Sequence, residues 1–274
     1  MKMRKNTVRG MISVAMATLL LACGGNRQPD AQDKPAQTTS KSSAQKQVAK
    51  PVAKAGQKQQ AKRVRLTEDN VVDELTRYGK ENPESIVRLS TPKGDMVIRL
   101  YENTPLHRAN FIKLIKEHYY DATEFYRVID HFMIQGGDTD GYDRRDVKNK
   151  FGKYTLPAEF RGENIHKRGA LSMVREYENN PEKRSEAFEF FIVQGTLYTD
   201  PELNGTESNY NVKISPEHRE VYKTIGGCAY LDGEHTVFGE VIDGLEVIDE
   251  IASVKTDDGD WPIEAVGIKL QIIK

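Results

Sequence analysis

The residues of this 274-residue chain that could carry out chemistry are concentrated in one short stretch, residues 125–138. A single arginine, Arg127, is followed there by Phe132-Met133 and by Gln135-Gly136-Gly137-Asp138. The six histidines of the chain show no ligand-like spacing, and the sequence contains no Cys-x-x-Cys pair, phosphate loop or nucleophile elbow. We therefore predict no metal site and no cofactor, while a Ser–His–Asp triad is neither indicated nor excluded by the sequence.

Four ordered segments resemble the signature segments of the cyclophilin family of peptidyl-prolyl cis-trans isomerases. They are residues 125–138, 169–173, 190–193 and 231–241. The resemblance extends from residue 86 to the C-terminus. It implies a mainly β fold, namely a closed antiparallel β-barrel of about eight strands with two capping helices. It also implies isomerase activity on proline-containing polypeptides, with no cofactor.

The implied reaction makes and breaks no covalent bond. An X–Pro amide isomerises over tens to hundreds of seconds because its resonance must be broken, at a barrier of roughly 20 kcal/mol. A catalyst therefore has to bind the twisted amide more tightly than either planar form. A fixed cation near the prolyl amide and an apolar cup around the proline ring satisfy that requirement.

The resemblance assigns a role to individual residues of this chain. Arg127 is the catalytic cation, Gln135 holds its guanidinium and contacts the substrate backbone, and His235 lies at the rim of the cup. The cup itself is assigned to Phe132, Met133, Phe191 and Leu231, with further substrate-binding positions at Met173, Val174, Glu189 and Tyr230. Without the resemblance, Arg127 would be interpreted as a strand arginine in a surface ion pair, and the apolar residues as ordinary core.

Several positions beside the implied substrate-binding groove depart from the usual family residues. Tyr230 replaces a tryptophan that binds cyclosporin in many eukaryotic members, so we expect weak cyclosporin binding. Val174 replaces alanine, Arg175 asparagine and Glu189 glutamine. Glu189 could pair with Arg127 and lower the activity, or pair with Arg175. We expect the Arg175 pair, because both residues are departures and their charges are opposite.

Two insertions, within residues 176–183 and from residue 196 to about 228, lie beside the groove and are expected to influence which proteins bind. The leading hypothesis is an isomerase that assists the folding of cell-envelope proteins. The alternative is a catalytically weak binding module or chaperone on the same barrel, and the departures at Val174 and Glu189 keep it open. An adhesive, host-facing role is not addressed by these residues.

The elements that position these residues are mostly strands. Apolar runs predict strands at 86–89, 96–100, 125–129, 132–135 and 266–272. The first two flank Thr91-Pro92-Lys93-Gly94-Asp95, which predicts a hairpin. Thr104-Pro105 predicts the start of one helix, and residues 245–251 predict a second. Many strands with only two helices favour a closed barrel.

The first 23 residues have the order of a secretory signal. Four basic residues precede an apolar run, residues 11–22, that is shorter than the roughly 20 residues needed to span a bilayer. Leu20-Leu21-Ala22-Cys23 resembles the bacterial lipobox, which implies a lipoprotein signal peptide at 1–22 and lipidation of Cys23. The alternative is an ordinary signal peptide with an incidental cysteine. With Gly24 next, we expect anchoring in the outer membrane, facing the periplasm or the cell surface.

Residues 23–64 are predicted to be a disordered tether, because Gln, Lys, Ala, Ser and Pro dominate and no aromatic residue occurs. Helical spacing of apolar residues predicts an N-terminal helical extension at 65–82, ahead of an isomerase domain at 83–274.

Residues 65–274 carry 27 basic against 39 acidic residues, a net charge of −12. That excess argues against nucleic acid as a partner, because phosphate contacts need Lys and Arg. The lone second cysteine, Cys228, is predicted to be a buried apolar residue.

Overall fold

The computed structural model describes residues 64–138 and 144–274. The predicted signal peptide, Cys23 and all but the last residue of the predicted tether lie outside the described residues. In the described part of the chain, no helix is both long enough and apolar enough to cross a membrane. The same part holds no group of three or more His, Cys, Asp or Glu side chains arranged to bind a metal ion.

Twelve strands are present in the described residues. In chain order they are β1 Leu66–Thr67, β2 Ile86–Thr91, β3 Gly94–Leu100, β4 Thr123–Ile129, β5 Met133–Asp138, β6 Gly152–Lys153, β7 Thr155–Leu156, β8 Ala170–Met173, β9 Ser185–Glu186, β10 Phe190–Val193, β11 Val237–Asp243 and β12 Val266–Ile272. Eight of them close into an antiparallel barrel in the order β10-β5-β4-β12-β2-β3-β11-β8. The predicted closed, eight-stranded barrel is confirmed.

Six helices accompany the strands in the described residues. They are α1 Val71–Glu81, α2 Pro105–Lys116, α3 Arg144–Phe151, α4 Asp200–Tyr210, α5 Pro216–Thr224 and α6 Glu246–Ala252. The sequence patterns predict α1, α2 and α6. Helices α3, α4 and α5 were not predicted, and α4 and α5 fill most of the second insertion. Short 3₁₀ turns at Tyr119–Ala122 and Ala229–Leu231 complete the fold.

The barrel strands follow the alternation of their sequences. In β12, Val266, Ile268 and Leu270 are buried, whereas the intervening residues are exposed. Helix α2 places Phe111 against this core, where its ring packs edge-to-face on Phe190 at 5.5 Å and on Phe238 at 5.4 Å. The helix is thereby fixed to strands on two parts of the barrel.

The N-terminal extension is part of the main core. Val71 and Leu75 of α1 are fully buried, and Leu66 of β1 pairs in parallel with Gly152 of β6. Where α1 crosses α2, a Cβ on Gly79 would lie only 3.1 Å from Ala109, so glycine allows the two helices to approach closely.

The second insertion packs on a small core of its own. That core contains Ile165, Leu203, Ile214, Tyr222 and Ala229. Cys228 is buried in the cluster that also contains Met133, Phe191 and Leu231, as its apolar character predicts. The insertion is therefore a folded addition to one side of the barrel.

Candidate active site

Three neighbouring strands bring the predicted polar and apolar site residues into one row. On β5, Gln135 lies opposite Arg127 of β4 on one side and opposite Phe191 of β10 on the other. The barrel register therefore joins residues that are up to 64 positions apart in sequence.

The pocket beside this row has a volume of about 320 Å³. Its lining residues are Arg127, Phe132, Met133, Gln135, Val174, Arg175, Glu176, Tyr177, Glu189, Phe191, Leu231 and His235. All four residues predicted for the apolar cup are among them. The side chains of Met133, Phe191 and Leu231 are buried, so they form a firm apolar base.

Arg127 lies at the pocket with 43% of its side chain exposed. Its Nε atom is 3.4 Å from Oδ2 of Asp260, in the loop between α6 and β12. This loop is held against β4 by the backbone, since the amide of Val128 donates to the carbonyl of Asp260 at 2.8 Å. Neither Gln135 nor Glu189 bonds to the guanidinium in the part of the chain that the structure describes, so the prediction that Gln135 holds Arg127 is wrong.

Gln135 instead belongs to a polar network in the wall of the pocket. Its Nε2 donates to the hydroxyl of Tyr126, and that hydroxyl donates to Oε2 of Glu189 at 2.7 Å. Nζ of Lys148 lies 2.9 Å from Oε1 of Glu189 and 2.7 Å from Asp138. Burial opposes the charge on Lys148, but the two carboxylates outweigh it and raise its pKa.

The predicted pairing of Glu189 with Arg175 is also wrong. Arg175 pairs with Glu234, from Nη2 to Oε2 at 2.5 Å, and donates from Nε to the Glu234 carbonyl at 2.6 Å. Glu189 is held instead by its ion pair with Lys148. Gly137 contributes to that placement, because its φ of +101° and a Cβ contact of 2.5 Å to the Phe188 carbonyl leave no room for a side chain.

His235 lines the pocket as a buried, neutral imidazole. Its Nδ1 is 3.0 Å from the carbonyl of Met173, which can only accept, so Nδ1 carries the proton. The hydroxyl of Tyr177 donates to Nε2 at 2.7 Å. Burial, reinforced by neighbouring His166, lowers the pKa of His235 to about 4.

Two predicted substrate-binding residues lie outside the pocket wall. Met173 is fully buried, and its carbonyl orients His235. Tyr230 packs against the outer side of Phe132, with ring centroids 6.1 Å apart. The remaining predicted positions, Val174 and Glu189, line the pocket.

Sequence reasoning missed several residues at the site. Glu176 and Tyr177 line the pocket, and the insertion at 176–183 was the signal that could have identified them. The Tyr177 ring also covers the guanidinium of Arg175 at 4.0 Å. Lys148 and Asp260 belong to segments outside the four signature segments, and nothing in their local sequence indicates a role.

The comparison with protein families decides the identity of this fold. Residues 86–271, more than half of the chain, match the model described as cyclophilin type peptidyl-prolyl cis-trans isomerase/CLD. The chain belongs to the cyclophilin family. The predicted resemblance is thereby confirmed, and the barrel and its pocket can be interpreted as those of a cyclophilin.

Two curated relatives of this cyclophilin come from Staphylococcus aureus and Streptococcus pyogenes. A Staphylococcus aureus protein named as a peptidyl-prolyl cis-trans isomerase is 34% identical over 185 residues, which cover 67% of this chain and 88% of that protein. A Streptococcus pyogenes protein named as a bifunctional phosphatase/peptidyl-prolyl cis-trans isomerase is 37% identical over 188 residues. That match covers 67% of this cyclophilin but only 37% of the streptococcal protein.

A solved structure has the same fold. The crystal structure of a cyclophilin-type peptidyl-prolyl cis-trans isomerase from Cryptosporidium parvum aligns with a TM-score of 0.50 at 24% identity. The alignment covers 70% of this cyclophilin and 98% of that chain.

Proposed function

We propose that this cyclophilin is an active peptidyl-prolyl cis-trans isomerase that stabilises the twisted X–Pro amide with Arg127. The observation that carries the proposal is the position of the Arg127 guanidinium beside an apolar pocket lined by Phe132, Met133 and Phe191. The proline ring would occupy this pocket while the chain preceding it rotates.

The contacts of Arg127 suit it to this role. Asp260 engages Nε, whereas no described residue forms a hydrogen bond to either terminal nitrogen. These nitrogens are free to donate to the amide as its resonance is lost. A donor fixed beside an apolar wall stabilises developing charge more than water does, because it needs no reorganisation during the reaction.

No acid or base is needed in this mechanism. His235 is neutral, and its Nδ1 proton is committed to the Met173 carbonyl. We therefore assign His235 to shaping the rim of the pocket, where its ring meets the edge of Phe191 at a centroid distance of 5.3 Å. The reaction requires only binding energy directed at the twisted amide.

A second candidate function is a catalytically weak binding module or chaperone for proline-containing segments. The ion pair between Arg127 and Asp260 favours it, because a carboxylate within 3.4 Å competes with the substrate for the guanidinium. The pair is more than 40% exposed on both sides, however, so water and salt weaken this competition.

We further propose that the clients are cell-envelope proteins and that a lipid on Cys23 anchors the chain. Membrane fractionation of a Cys23→Ser variant tests the anchor. The support is the signal-like order of residues 1–22 and the Leu-Leu-Ala-Cys sequence that ends it. Release of the variant from membranes, or failure to mature, is expected. Unchanged partitioning into detergent would contradict the lipid anchor.

The isomerase proposal is tested by cis-trans exchange of an X–Pro tetrapeptide, measured by NMR with and without the full chain. We expect cis-trans exchange to be much faster with the full chain than without it, since the uncatalysed reaction takes tens to hundreds of seconds. Saturable peptide binding without acceleration would overturn the isomerase proposal in favour of the binding module.

A further inference from the structure

A row of three aromatic rings leads away from the pocket. The ring of Phe132, which lines the pocket, packs on Tyr230 with centroids 6.1 Å apart and planes 33° apart. Tyr230 in turn packs on Tyr210 at 5.3 Å and 35°. We call Phe132, Tyr230 and Tyr210 the aromatic row. It joins the pocket to the second insertion.

Tyr210 is not required by the core of the insertion. It is the last residue of α4, and 56% of it is exposed. The buried residues of α4 are Leu203 and Thr206, one or more turns earlier in the helix. An exposed ring stacked on a second aromatic residue leaves apolar surface available for a ligand.

The insertion holds Tyr210 in a defined position. Arg219 of α5 pairs with Glu207 of α4 at 3.0 Å, which fixes the two helices to each other. Tyr222 of α5 donates to Asp232 at 2.7 Å, and Asp232 also accepts from the backbone amide of His166 at 2.8 Å. These bonds connect the insertion to the loops around the pocket.

The outer end of the row opens into a second cavity. Tyr210 lines this cavity, which has a volume of about 430 Å³, together with apolar residues such as Phe160 and Val212 and with a larger number of polar and charged residues, among them Lys183 and Glu234. A ligand that follows the row therefore reaches a second recess of mixed polarity, in which Tyr210 offers an exposed apolar ring. The aromatic row is the connection between this recess and the pocket.

We propose that the aromatic row is an extension of the substrate site, occupied by an extended segment of the same polypeptide whose proline enters the pocket. The two ring separations place Tyr210 up to about 11 Å from Phe132, and an extended chain rises about 3.3 Å per residue. The preferred substrate therefore carries an aromatic or large aliphatic side chain three or four residues from its proline. This inference rests on the proposed function and adds a substrate preference to it.

The test compares short and long peptides on the full chain. The short probe is Ala-Ala-Pro-Ala. The long probes are alanine-rich peptides that contain one proline and one phenylalanine. The phenylalanine lies three or four residues before or after the proline. A matched peptide without phenylalanine is the control. Dissociation constants are measured by fluorescence anisotropy and kcat/KM values by NMR exchange.

We expect phenylalanine on one side of the proline to tighten binding about fivefold in the wild type. Tyr210→Ala should abolish this preference and leave kcat/KM for the short probe unchanged, whereas Tyr210→Phe should retain the preference. Leu197→Ala is the matched control, because Leu197 is a 62% exposed apolar residue at the start of the same insertion. Its preference should equal that of the wild type.

Two results would overturn the inference: a wild type without any preference for phenylalanine, or a preference that persists in Tyr210→Ala. Failure of the proposed function is distinguishable from failure of this inference. If the proposed function is wrong, the chain does not accelerate isomerisation of the short probe. The dissociation constants of the long probes then still show whether the aromatic row binds phenylalanine. An unchanged melting temperature verifies that Tyr210→Ala is folded.

Discussion

The ion pair between Arg127 and Asp260 is the residue-scale feature that most directly concerns catalysis. Both side chains are 43% exposed, so the pair contributes at most about 1 kcal/mol to stability. Its consequence is orientation, because engagement of Nε leaves the two terminal nitrogens of the guanidinium for the substrate. We therefore interpret Asp260 as a positioning residue.

Asp260→Ala should lower kcat/KM three- to tenfold, because the guanidinium loses its anchor. Asp260→Asn keeps an acceptor oxygen and should retain most of the activity. Asp258→Asn, which changes an exposed carboxylate of the same loop, is the control and should behave as the wild type. A tenfold increase in Asp260→Ala would show instead that Asp260 restrains Arg127, and would favour the binding module.

His235 makes a pH-dependent contribution to stability. Its pKa is about 4 in the folded protein against an ordinary value of 6.5, so the unfolded chain takes up the proton first as the pH falls. Stability is therefore lost between about pH 6.5 and pH 4, by about 2–3 kcal/mol for this group. Urea unfolding at pH 7.5 and 4.5 should show a smaller loss in His235→Gln than in the wild type. Equal losses would contradict the neutral, buried state of His235.

At the scale of elements, the sequence patterns predicted five of the eight barrel strands and three of the six helices in the described residues. The hairpin of β2 and β3 and the alternation of β12 are local patterns, and the structure confirms both. Helix α4 contains only Leu203 and Tyr210 as large apolar residues, and α3 contains only Val147 and Phe151. Such sparse patterns give no helical signal, because these helices depend on tertiary contacts.

Helix α1 provides an element-scale prediction. Leu75 is fully buried in the main core, whereas 44% of Val72 in the same helix is exposed. Leu75→Ala should lower the free energy of unfolding by about 2–4 kcal/mol, through lost burial and the cavity it leaves. Val72→Ala should change it by less than about 0.5 kcal/mol. Chemical denaturation measures both, and equal effects would contradict the integration of α1 into the core.

At the scale of the whole molecule, barrel closure explains which parts of the site were predictable. The residues on β4, β5 and β10 lie inside signature segments, so their register assembles the pocket as the family resemblance implies. The partners of the charged residues were not predictable. Lys148, Asp260 and Glu234 come from three separate parts of the chain, and only the folded molecule determines which charge each one meets.

The central claim, that Arg127 performs the catalysis, is tested most directly by NMR exchange of an X–Pro peptide with Arg127→Ala, Arg127→Lys and the control Arg99→Ala. Arg99 is also an exposed strand arginine in an ion pair, with Glu240. Arg127→Ala should lower kcat/KM more than tenfold, a loss of at least about 1.4 kcal/mol of transition-state stabilisation, with an unchanged melting temperature. Arg127→Lys should also be impaired, since lysine lacks the planar fork, and Arg99→Ala should be fully active. Wild-type activity in Arg127→Ala would contradict the account.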